Sequence, residues 1–165
     1  MGYNSIDLVD KVIDTSNKIL NFYENIKNNN NISSFNVFVN ILKKHEKEKI
    51  NYYKGLKESM DYESTKEINF FLYDKISSLI TQFNNKISSH SCGINTKELI
   101  ECAIEINKDV RALFIDVRGR ITKDEDDWET SEYKVLSIII NIQEEYIKKL
   151  EQLYNKSYIG KQAPI

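Results

Sequence analysis

The chain has one proline, Pro164, and five glycines among its 165 residues. Strands and tight hairpins reverse direction on Gly and Pro, so a chain this poor in both is confined to helices. Apolar residues recur at three- and four-residue intervals, the spacing of one helical face. The first helix is expected over 5–27, with Leu8, Val12, Ile19, Phe22, Tyr23 and Ile26 inward and Asn4 with Asp7 capping its start. The Asn28–Asn31 run ends it, because Asn tolerates turn conformations. The second runs from Ser33 or Ser34, a capping pair, to about Met60, with Phe35, Phe38, Val39, Leu42, Tyr53 and Leu56 inward.

Residues 62–94 are less regular. A helix rich in Phe and Leu is expected over 68–83, followed by a Ser-rich loop over 88–93. The next long helix starts at Asn95 or Thr96, with Glu98 placed for a capping box, and presents Leu99, Ala103, Ile106, Val110, Leu113, Phe114 and Val117. Gly119 and Thr122 weaken its end. An acidic loop follows over 123–128. The last helix spans 129–155, with Leu136, Ile139, Ile140, Ile147, Leu150 and Leu153 inward. Residues 156–165 are expected to form a loose tail on a single domain of residues 1–155.

The two halves repeat one another. Ser16, Ile19, Phe22, Tyr23 and Ile26 match Asn107, Val110, Leu113, Phe114 and Val117 at one offset. Leu42, Glu46, Lys49, Tyr53 and Leu56 match Ile139, Gln143, Tyr146, Leu150 and Leu153 at a slightly larger one, the extra residues falling in the acidic loop. Two short-loop hairpins joined by one long crossover make the ferritin-like form of the four-helix bundle. Both copies carry polar side chains halfway along an apolar face: Ser16, Glu46 and Lys49 in the first, Asn107, Gln143 and Tyr146 in the second. Polar groups inside a bundle are costly unless they pair or bind something, so this band is the candidate functional site.

Several stretches resemble rubrerythrin-type ferritin-like proteins. KILNFYENI (18–26) is similar to their "Glu-x-x-Ala-Ile-x-Phe-Tyr" helix, and KKHEKEKINYYKGL (43–56) to their "Glu-Glu-Glu-Lys-x-His" helix. ECAIEINKD (101–109) looks like their third helix and QEEYIKKL (143–150) like their fourth. The resemblance implies two iron or manganese ions held by one Glu from each first helix of a pair and a Glu-x-x-His from each second. Carried across, these ligands fall on Ser16, Glu46, Lys49, Asn107, Gln143 and Tyr146, of which Glu46 alone matches. The others supply neutral oxygens or, at Lys49, a cation that repels metal. The expectation is a metal-free remnant, with Lys49 paired to Glu46 where a metal's charge would lie. Ser16, Asn107, Gln143 and Tyr146 would complete its hydrogen bonds. Full rubrerythrins also carry a C-terminal Cys-x-x-Cys module that this chain lacks.

Other candidates have plainer readings. His45 borders the band, and its neighbours on the helix diverge from it; His90 lies in the Ser-rich loop without a matching carboxylate. Two histidines exclude a haemerythrin-type site. Cys92 and Cys102 form no Cys-x-x-Cys and read as plain thiols, which suits a reduced cytoplasm and makes the sequons at Asn31 and Asn155 chance matches. Asp124–Asp127 lacks the spacing of a calcium loop, and Asp126 with Glu129 reads as a capping box for the last helix. Trp128 and the tyrosines Tyr23, Tyr52, Tyr53 and Tyr146 read as packing residues. Lys43, Lys44, Lys47 and Lys49 alternate with Glu46 and Glu48 as a mixed solvated face.

A net charge of −2 argues against a nucleic-acid protein. The longest apolar cluster, 135–142, is far short of the roughly 20 residues of a membrane span, and the N-terminus has no secretory pattern. The expected function is a non-catalytic bundle acting through an unidentified protein partner or a homodimer. The alternative is a divergent iron- or manganese-dependent oxidoreductase or iron-handling protein using Glu46 with acids from Glu101, Glu105, Glu144 or Glu145, without partners in nucleic acid or membrane.

Overall fold

A computed structural model describes residues 2–93 and 95–160. Its described residues form an all-α protein of five helices: α1 (Ser5–Asn28), α2 (Ser33–Ser59), α3 (Phe70–Ile87), α4 (Thr96–Ile121) and α5 (Ser131–Tyr154). The helices α1 and α2 pack together along their length, as do α4 and α5, and α3 lies in the crossover between the two hairpins, against α1 and α4. The core is a single cluster fed by all five helices, with Leu8, Val12, Ile19, Val39, Ile76, Ile80, Leu99, Ile106, Phe114 and Ile139 sealed from solvent. No helix is long and apolar enough to cross a membrane among the described residues.

Helix starts follow local chemistry, not always the residue expected. Asn4 and Asp7 form a reciprocal capping box on α1. The start of α2 differs: Ile32 holds the N-cap position without a side-chain bond, and neither Ser33 nor Ser34 caps. Its approach is set instead by Asn30, whose Oδ1 accepts from the Ile32 amide at 2.8 Å. The crossover helix runs later than expected, from Phe70 to Ile87, because Asn69 accepts from the Phe71 and Leu72 amides and so fixes the first turn. Ile68 is drawn out of it into a bridge with Tyr3, whose carbonyl accepts from the Ile68 amide at 2.7 Å.

The acidic connection also departs from expectation. Asp124 and Asp127, not Asp126 and Glu129, form the capping box, and they close a 3-10 turn over Glu125–Glu129. Thr130 then caps α5, which begins at Ser131. Trp128 is half exposed and stacks on Tyr133. At the other end, α5 continues through a π-turn over Asn155–Ile159. From this segment the Tyr158 hydroxyl hydrogen-bonds Thr96 at the start of α4 at 2.6 Å, next to Tyr154, the last residue of α5, which donates to Glu101 at 2.8 Å. Of the expected tail, residues 161–165 lie outside the described residues.

The two cysteines are not free thiols. Cys92 and Cys102 form a disulfide that ties the segment before α4 to the second turn of that helix. Their spacing resembles no redox or metal motif, and the helix turn and the loop bring them together only in three dimensions. The expectation of a reduced cytoplasm, which rested on free thiols, therefore loses its basis.

Candidate functional site

Helical spacing explains why α2 sends one acid and one lysine inward. Leu42, Glu46, Lys49, Ile50 and Tyr53 share a face and are all buried, whereas Lys44, Lys47 and Glu48 on the other side are exposed. Lys49 therefore leaves the basic run of its sequence neighbours. Its ammonium lies 2.9 Å from Glu46 Oε2, with both side chains at most 3% exposed. It also donates to Asn107 Oδ1 of α4 at 2.8 Å and to Gln143 Oε1 of α5 at 3.3 Å. One amine thus fastens three helices to one point.

The acceptors are themselves oriented. Asn107 donates its Nδ2 hydrogen to the Ala103 carbonyl at 2.8 Å, which turns Oδ1 toward the lysine. Gln143 donates Nε2 to the Tyr53 hydroxyl at 3.0 Å, which turns Oε1 the same way. The structure joins Glu46, Lys49, Asn107 and Gln143 in one cluster, with Tyr53 as a member that residue-type matching to metal ligands could not select. Tyr146 stands at the rim: its ring centroid is 5.3 Å from the Lys49 nitrogen, and its hydroxyl donates to Glu48 at 3.4 Å. Ser16 is buried on α1 but bonds to none of these groups.

Electrostatics follow from enclosure. Burial, reinforced by the Glu46 charge, pushes the Tyr23 and Tyr53 hydroxyls well above the ordinary phenol range, while hydrogen bonding from Asn107 and Gln143 opposes the rise. Tyr146 is pushed up to about 12, first by burial and then by Glu48. All three are neutral phenols at physiological pH. His45 is held below its usual range by burial, its ring meets that of Tyr146 edge-on, and its Nδ1 is enclosed without a partner among the described residues. His90 is exposed in the loop.

The donor set does not suit a divalent metal. An ion at this centre would have to displace the Lys49 ammonium and rely on one carboxylate, two neutral amides and phenols. Glu46 Oε1 is buried without a hydrogen-bond partner among the described residues, but it is one oxygen and not a ligand cage. The other acids considered do not converge on it. Glu105 is exposed, Glu101 accepts from Tyr154, Glu144 pairs with Arg111 and Glu145 with Lys148. Among the described residues, no group of three or more His, Cys, Asp or Glu could hold an ion.

No protein family, curated protein or solved structure matches the chain. The site therefore has to be read from its own chemistry.

A second polar contact was not legible from residue patterns. Thr15 on α1 donates to Asn84 Oδ1 on α3 at 2.9 Å, in a buried setting that fixes the crossover helix against the first hairpin. Asn84 sits one helical turn after Ile80 on the apolar stripe, and that position was its only signal.

Proposed function

We propose that this chain is a ferritin-like four-helix bundle of the rubrerythrin type whose central di-metal position is refilled by the Lys49–Glu46 pair. It acts through its outer faces, on another copy of itself or another protein, rather than by metal chemistry. One observation carries the reading: the Lys49 ammonium sits at the meeting point of α2, α4 and α5 and donates to Asn107 and Gln143 beside Glu46. A cation built into the chain takes the place that a bound cation would need, and it neutralises the one buried carboxylate there.

The outer face best suited to contact is the cleft of about 520 Å³ lined by α2 and α5. Tyr52, Ile138, Ile142 and Tyr146 give it an apolar floor, and Glu48, Glu145 and Lys149 give it a mixed-charge rim. Such a rim lets Lys149 of one copy face Glu48 or Glu145 of the other when two copies of the same face meet. The competing reading, a divergent iron- or manganese-dependent oxidoreductase or iron-handling protein, draws on the unpartnered Glu46 Oε1.

Elemental analysis of purified protein followed by anaerobic Fe(II) titration separates the two. The expected result is no bound iron or manganese and an unchanged melting temperature when metal is added. Two tightly held equivalents would replace the proposal with the metal reading. Light scattering across a concentration series tests the contact face: self-association that Tyr52→Glu abolishes is expected, and a monomer at every concentration removes the homodimer.

A further inference from the structure

Three groups that can react with one another are enclosed together at the centre of the bundle. Lys49 Nζ is 2.8 Å from Asn107 Oδ1, which places it next to the amide carbon Cγ, one bond beyond. Glu46 Oε2 is 2.9 Å from the same nitrogen. The other Glu46 oxygen is buried with an open acceptor position. All three side chains are at most 3% exposed.

We propose that the chain forms an intramolecular isopeptide bond between Lys49 Nζ and Asn107 Cγ, with Glu46 as the catalytic proton carrier. In water an ammonium does not attack a carboxamide. Attack needs the free amine, and one proton passing from Lys49 to Glu46 across their 2.9 Å contact leaves an amine beside a carboxylic acid. The amine attacks Asn107 Cγ, forming the Nζ–Cγ bond. Glu46 relays a proton from the attacking nitrogen to Asn107 Nδ2, the Cγ–Nδ2 bond breaks, and ammonia leaves. Lysine ammonium, asparagine amide and glutamate become a secondary amide, ammonia and glutamic acid. Protons and charge balance, and no oxidant, reductant or co-reactant is required.

Geometry favours Asn107 over Gln143 as the acyl group. The amine is 2.8 Å from the Asn107 oxygen and 3.3 Å from that of Gln143. The Gln143 oxygen instead serves as a positioning acceptor that holds the amine from the side of α5. The Tyr23 and Tyr53 rings wall the cluster and limit water, so the amide, once made, is shielded from hydrolysis. The product holds no buried charge: Glu46 remains as a neutral acid. The bond would join α2 to α4, and so strap the first hairpin covalently to the second. This inference rests on Lys49 being the resident cation of the centre; metal loading would remove both readings, and an unmodified mass would remove only this one.

Intact mass spectrometry of the full-length protein, denatured after purification, tests it. The expected mass lies about 17 Da below that of the disulfide-bonded sequence, the loss of one ammonia. A tryptic digest should then yield a branched peptide in which cleavage after Lys49 is blocked and Lys49 is joined to the peptide holding Asn107. Asn107→Ala and Glu46→Gln should both show the unmodified mass. The proposal is overturned if wild-type protein shows only the unmodified mass, or if the ammonia loss maps to another asparagine. Loss retained in full by Glu46→Gln would remove the assignment of Glu46. Because the wild-type mass is decisive alone, a variant that does not fold leaves the test intact.

Discussion

Among the described residues, Lys49 is the one lysine or arginine that is fully enclosed. Its stem fills core volume while its amine closes a polar cluster, so packing and charge both depend on it. Removing one member of a buried pair leaves the other uncompensated, which typically costs about 3–5 kcal/mol. In an Asn107→Ala background, which cannot form the isopeptide bond and keeps the ion pair, Lys49→Met and Glu46→Leu should each cost about that much, measured by urea denaturation. The double variant, with neither charge, should be more stable than either single one; a double variant as unstable as the two losses added would show that the residues do not act as a pair. Tyr53→Phe is expected to cost about 1–3 kcal/mol, because it strips the acceptor from the buried Gln143 amide. The inward placement of Glu46 and Lys49 follows from spacing alone, since they fall on the stripe of Leu42 and Tyr53. Tyr53 and Gln143 are bonded through a tertiary contact between α2 and α5, and such a contact leaves no trace in either helix's own pattern.

At the scale of elements, the helices are legible and their ends only in part: Asn4 with Asp7 and Asn95 cap where expected, and other starts do not. Periodicity finds a long amphipathic run because every turn repeats the signal, whereas a helix start depends on one side chain reaching one amide. Ser33 and Ser34 had the right chemistry and lie one and two positions too late, and Asp126 with Glu129 lie two positions past the box that forms. The true box gives a pH-dependent contact. The Lys123 and Asp124 amides donate to Asp127 and hold its carboxyl below the usual carboxylate range. A carboxyl depressed in the folded state adds stability above its unfolded pKa and loses it as pH falls through the folded one. Asp127→Asn should therefore lower the melting temperature at neutral pH and converge with wild type in strong acid. Melting curves across that range check it; a difference that stays constant with pH would assign the effect to something other than ionisation.

For the whole molecule, the disulfide pins the last stretch of the crossover to the start of the second hairpin. Cys92 and Gly93 form one wall of a cleft of about 450 Å³, facing Phe22, Asn25 and Asn29 of the first hairpin. The bond to Cys102 holds that wall, the last stretch of the crossover, to α4. Nothing in the chain announces this pairing: two cysteines ten positions apart match no motif, and whether they bond depends on how the loop after α3 turns back onto α4. The linkage closes a short loop, and constraining such a loop in the unfolded chain is worth on the order of 2–3 kcal/mol. Denaturation with and without reductant should differ by about that amount, while Cys92→Ser/Cys102→Ser, already lacking the bond, should respond to reductant not at all. Thiol titration of the unfolded, unreduced protein should find no free thiol. Two reactive thiols there, with equal stability in both buffers, would mean that packing alone holds the end of the crossover on α4.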